Sequence, residues 1–137
     1  MFISFSLIQY VGLWYEISRV NVIFQVGSKC VNATYTANTD GTVGVFNQAI
    51  NGLGAYTSIR GFAKVKDPSE PAALSVVFDN PSKICTCLCW NSSSFSSLDQ
   101  PGDYNVISTD YNQYALVYSC RKIPTLANKF ETAWILS

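Results

Sequence analysis

The sequence has no histidine, and only 13% of its residues are charged, nine basic against nine acidic. Without imidazole, the chain lacks the commonest general base and the commonest metal ligand. A formal net charge of zero leaves no basic footprint for a phosphate backbone, so nucleic acid is excluded as a partner. No Gly-x-Ser-x-Gly turn or phosphate loop is present. Asp79, Asp99, Asp103 and Asp110 fall at no spacing that suggests a working carboxylate pair. The chain is therefore read as a non-enzyme without a cofactor. No apolar run reaches the length of a membrane-spanning helix. Met1 to Val11 carries Phe2, Ile3, Phe5, Leu7 and Ile8, but has neither a basic opening nor a small-residue cleavage site. It is read as the lead-in to a first strand or as a misjudged chain start, and the chain as soluble. Long stretches of 3.6-residue periodicity are also missing, which argues against a helical fold.

What is present is apolar and β-like. Hydrophobic residues make up 48% of 137 residues, enough for one domain with a real core, and aromatics make up 14%. Val31, Ala33 and Tyr35 alternate with Asn32, Thr34 and Thr36, the period-2 signature of a half-buried strand. Asn38-Thr39-Asp40-Gly41 reads as a turn. Val43, Val45 and Asn47 then share one face. After Asn51-Gly52 and Gly54, Thr57, Ile59, Gly61, Ala63 and Val65 share another, and Asp67-Pro68 ends that run. Lys64 and Lys66 fall on its solvated side. Leu74, Val76 and Phe78 form the next face, stopped by Asn80-Pro81. Leu13 to Val20, Tyr104 to Thr109, Tyr114 to Cys120 and Phe130 to Leu136 bring the count to about eight. Eight short strands fit either a closed up-and-down barrel or a two-sheet sandwich.

The segment 84–98 interrupts this rhythm with Cys85-Thr86-Cys87-Leu88-Cys89-Trp90 and a serine-rich run, and reads as a long exposed loop. Its three thiols have no fourth ligand nearby, so a structural metal site is not expected. With Cys30 and Cys120 the chain holds five cysteines, an odd number that requires a free thiol, an intermolecular bridge or a partner outside this sequence. Asn32-Ala33-Thr34 and Asn91-Ser92-Ser93 match the N-glycosylation acceptor pattern. Both features favour a secreted protein.

Three blocks carry a resemblance to a known family. Gly12-Leu13-Trp14-Tyr15-Glu16-Ile17 resembles the Gly-x-Trp signature that opens the first lipocalin strand. Thr109 to Cys120, reading Thr-Asp-Tyr-Asn-Gln-Tyr-Ala-Leu-Val-Tyr-Ser-Cys, resembles the second lipocalin signature. Phe130 to Ser137 is similar to the run that leads into the third. Their order and spacing suit the apolipoprotein D-like branch, with its insect bilin- and retinoid-binding and Lazarillo-like members.

The resemblance implies an all-β fold: an eight-stranded antiparallel up-and-down β-barrel spanning residues 1–137, carrying a small hydrophobic ligand such as a fatty acid, sterol, retinoid or bilin. It implies ligand contacts at Tyr35, Asn47, Phe78, Tyr104 and Trp134, which could otherwise be ordinary core residues. It gives Gly12, Trp14, Thr109, Asp110, Tyr111 and Tyr114 a role in the fold, with Trp14 packed across the closed end. It implies an arginine just after Ser137, a wall-covering C-terminal helix, and disulfide partners for Cys30 and Cys120, none of which this sequence contains. An uncapped indole at the barrel floor is the expected consequence. A weak homo-oligomer is compatible with all of this. The alternative function is protein interaction or stress protection through the surface and the cysteine-rich loop.

Overall fold

The computed structural model describes residues 5–20, 27–79, 102–122 and 129–137. One helical turn, α1 (Leu7–Tyr10), precedes β1 (Gly12–Val20), β2 (Lys29–Ala37), β3 (Val43–Ile50), β4 (Tyr56–Val65), β5 (Ala73–Phe78), β6 (Gly102–Thr109), β7 (Ala115–Lys122) and β8 (Lys129–Leu136). Each strand pairs antiparallel with the next, and β8 returns to β1, closing a barrel of eight strands. Closure removes every free sheet edge, and it decides the architecture that periodicity left open between barrel and sandwich.

Up-and-down order sends alternate connections to opposite ends. The β2–β3, β4–β5 and β6–β7 turns share one end with α1, and each carries an aspartate that accepts local N–H groups. Asp40 takes the Thr42 N–H (2.9 Å), Asp67 takes the Ser69 N–H (2.8 Å), and Asp110 takes those of Asn112, Gln113 and Tyr114 (3.1, 2.8 and 3.0 Å). These bonds favour the ionised form and hold all three carboxyls below the ordinary aspartate range. The other end bears the β1–β2, β3–β4, β5–β6 and β7–β8 connections; the segment 84–98 with its cysteines and Asn91 belongs to the third and lies outside the described residues.

The core is densest toward the turn end. Val43, Val45, Ala63, Leu74, Val106, Ala115, Val117 and Leu136 are buried there, with Trp14 and Tyr10. Fully burying one such aliphatic side chain contributes about 1.5–3 kcal/mol. The N-terminal segment departs from the expected strand lead-in. It forms a helical turn that inserts Phe5 and Tyr10 into the core, because the barrel base needs an apolar plug that no strand can supply.

Two glycines have definable reasons. Gly12 sits at φ +133° where the chain leaves α1 for β1, a conformation that side-chain-bearing residues rarely adopt. Gly61 brings β4 against β5 so closely that a Cβ there would stand 2.2 Å from the Val77 carbonyl oxygen and 3.0 Å from the Phe78 ring.

Candidate functional site: the barrel lumen

At the floor of the lumen, Trp14 stacks on Tyr10 with ring centroids 5.2 Å apart and donates its Nε1–H to the Tyr10 carbonyl at 2.9 Å. The indole is therefore capped by a ring from α1 and is only 4% exposed, not bare as the sequence led us to expect. Above it, the hydroxyls of Tyr10 and Tyr35 each lie 2.9 Å from that of Tyr104. Burial pushes the Tyr35 phenol up to about 12 and raises Tyr10 and Tyr104 as well. All three thus stay protonated at any physiological pH.

Register places four expected ligand residues around this floor. Tyr35 pairs with Val45, Val45 with Gly61, and Gly61 with Phe78, so one belt crosses β2 to β5. Asn47 pairs with Ala33, which pairs with Trp14, one inward step further toward the mouth. Asn47 is half-buried, but its Oδ1 is fully buried without a hydrogen-bond partner. Tyr104 sits opposite Leu74 on β5. The fifth, Trp134, pairs with Val117 and with Arg19 on the far wall. Phe78, Tyr104 and Trp134 pack on the core while remaining partly exposed, as do Ala33 and Val76. These inward-facing side chains keep solvent contact and lie above a base that is fully packed.

One pair escaped the sequence reading. Counting in twos from Trp14 turns Glu16 inward, but sends Arg19 out. A β-bulge between Glu16 and Ser18 shifts the register, so Arg19 pairs with the inward Trp134. The Arg19 guanidinium then binds the Glu16 carboxylate and donates to the Ser28 carbonyl at 3.0 Å. The Glu16 side chain is 6% exposed and that of Arg19 23%. Beyond the pair, β1 and β2 diverge around a groove of about 430 Å³ running along Glu16 to Arg19 and Ser28 to Val31.

The motif residues hold the closed end. Thr109 Oγ1 donates to the Tyr114 carbonyl (2.7 Å) and accepts the Tyr111 N–H (2.9 Å). Tyr111, at φ +67°, stacks on Phe5 at 6.0 Å. The Tyr114 hydroxyl is 3.0 Å from Ser108 Oγ on the outer surface. Asn32 lies on the outward phase of β2, between Tyr15 and Gln48. Cys30 is an exposed free thiol and Cys120 a half-buried one. Among the described residues no group of His, Cys, Asp or Glu could hold a metal ion. Nor is any helix there long and apolar enough to cross a membrane.

A closed, eight-stranded up-and-down barrel with a plugged base is an architecture whose interior is filled by side chains or holds one small ligand. The Lipocalin-like domain matches residues 5–134. The chain belongs to the lipocalin family, and within it is apolipoprotein D-like. It is 35% identical over 117 residues to Apolipoprotein D of Rattus norvegicus, covering 85% of this chain and 52% of the rat protein. It is 28% identical over 135 residues to the Lazarillo protein of Schistocerca americana, covering 97% of this chain and 55% of that one. Insecticyanin from the tobacco hornworm Manduca sexta has the same fold, with a TM-score of 0.73 at 23% identity over 97% of this chain and 63% of its own. The chain thus spans little more than half the length of these sequence relatives.

Proposed function

We propose that this protein binds and carries a small hydrophobic molecule in the upper lumen of its barrel. The observation that supports this best is the ring of inward residues that stay partly exposed (Ala33, Asn47, Phe78, Tyr104 and Trp134) around a buried, unpartnered Asn47 Oδ1. Phe78 and Trp134 offer flat apolar area at low entropy cost, while Tyr35, Tyr104 and Asn47 offer the few polar contacts that orient a ligand. Fatty acids, sterols, retinoids and bilins are the ligand classes this reading admits. It is a binding role with no catalytic step, in a secreted glycoprotein modified at Asn32 and Asn91. The test is titration of the full-length protein with one member of each class while tryptophan fluorescence is followed. Saturable quenching at about one ligand per chain is expected. Absence of quenching by all four classes overturns the reading.

A further inference from the structure

Hydrogen-bond accounting in the lumen points to a narrower ligand class. Tyr10, Tyr35 and Tyr104 contribute three hydroxyl protons, but only two hydrogen bonds join them. Whichever way the bonds run, one proton remains without an acceptor among the described residues. Since burial keeps all three phenols protonated, that donor persists across the physiological range. On the inner face Asn47 Oδ1 is the complementary orphan, a buried acceptor with no donor; the other such acceptor, Asn32 Oδ1, lies on the outward phase of β2. Tyr35 pairs with Val45 and Asn47 lies two residues along the same strand, so the two are diagonal neighbours on the inner face. Diagonal neighbours on a sheet lie within reach of aromatic and long side chains.

Charge narrows the class further. The guanidinium on the inward phase of β1, that of Arg19, is already matched by the buried Glu16 carboxylate. An ionised ligand head would therefore leave water without a free counter-charge. A hydroxyl group both donates and accepts, and satisfies both orphans at once. An ether or ester can use only the tyrosine donor and leaves Asn47 unpaired. A carboxylate fails on both the donor and the charge.

We infer that the lumen selects an uncharged apolar alcohol, bound with its hydroxyl between the tyrosine cluster and Asn47. This rests on the carrier reading above. The test uses displacement of N-phenyl-1-naphthylamine, a neutral apolar dye, from the full-length protein at pH 8 by dodecan-1-ol, its methyl ether and dodecanoate. The alcohol is expected to compete more tightly than either, by a factor between about fivefold and a hundredfold, which is what one unpaired buried polar group is worth. Asn47→Leu is expected to bring the alcohol and ether together. Glu16→Gln, which removes the carboxylate beside Arg19, is expected to improve dodecanoate relative to the alcohol. Dodecanoate or ether binding as tightly as the alcohol to the unmutated protein overturns the inference and leaves the carrier reading standing, as does an unchanged alcohol-to-ether ratio in a folded Asn47→Leu variant. Failure of all three compounds and the dye to bind overturns the inference, and the carrier reading falls with it when the four-class fluorescence titration fails as well.

Discussion

The Tyr111 hydroxyl accepts the backbone N–H of Ser6 at 2.9 Å across 105 residues of sequence. This bond ties the N-terminal plug to the β6–β7 turn, and Phe5 stacking on Tyr111 reinforces it. Tyr111→Phe removes the hydroxyl, keeps the ring, and is expected to cost about 1 kcal/mol in urea unfolding. Tyr111→Ala also removes the ring, and about 2–4 kcal/mol is expected. Equal losses for the two variants would show that the hydroxyl carries the whole effect and the ring contact none.

Gly61 and Gly12 should both resist substitution, for different reasons. Gly61→Ala places a methyl group 2.2 Å from a backbone oxygen, so β4 and β5 must separate. We expect a loss of about 1–3 kcal/mol or more and a disturbed Phe78. At Gly12 there is free space but a φ of +133°, and Gly12→Ala is expected to cost about 1–3 kcal/mol through backbone strain alone. Thermal melts would check both, and a melting temperature unchanged by Gly61→Ala would contradict the close approach of the two strands.

Acid should loosen the closed end. The folded-state carboxyls of Asp40, Asp67 and Asp110 lie below their unfolded values. Each therefore contributes stability that is present above the unfolded pKa, about 3.9, and is lost as pH falls through the folded one. Asp110→Asn keeps an acceptor oxygen without the charge. The gap in stability between wild type and Asp110→Asn is expected to be largest near neutrality and to close below about pH 4. Circular dichroism melts from pH 7 to pH 2 would measure it, and a gap that does not change with pH would refute the account.

The Glu16–Arg19 pair predicts an asymmetric cycle. Arg19→Leu strands a carboxylate that is 6% exposed, and a loss of about 3 kcal/mol is expected. The double variant Glu16→Leu/Arg19→Leu is expected to recover most of that loss, because neither charge of the pair remains. Chemical unfolding of the two variants side by side checks this. A double variant no more stable than the single would mean that the pair acts through packing and not through charge.

Strand alternation was legible because the lumen faces and the outer faces differ in polarity. Val43, Val45 and Asn47 shared a face in the sequence and share it in the barrel. The turns were legible because Asn, Asp and Gly mark them. Closure was not, since period-2 patterning describes a strand and not its eventual neighbour; the Gly-x-Trp and Thr-Asp-Tyr blocks supplied that information. The helical plug escaped notice because one turn is too short to show a period. Tyr10 consequently went unmarked, although it caps Trp14 and completes the tyrosine cluster. Arg19 escaped because its inward position depends on an inserted residue that composition does not reveal.

That inserted residue has a further consequence. Because the bulge near Ile17 sets two residues of β1 against one of β8, deletion of Ile17 would leave Glu16, Ser18 and Arg19 opposite Leu136, Ile135 and Trp134 and keep a guanidinium inside the barrel. Strand length in such barrels can thus absorb the loss of one residue without changing which side chains line the interior.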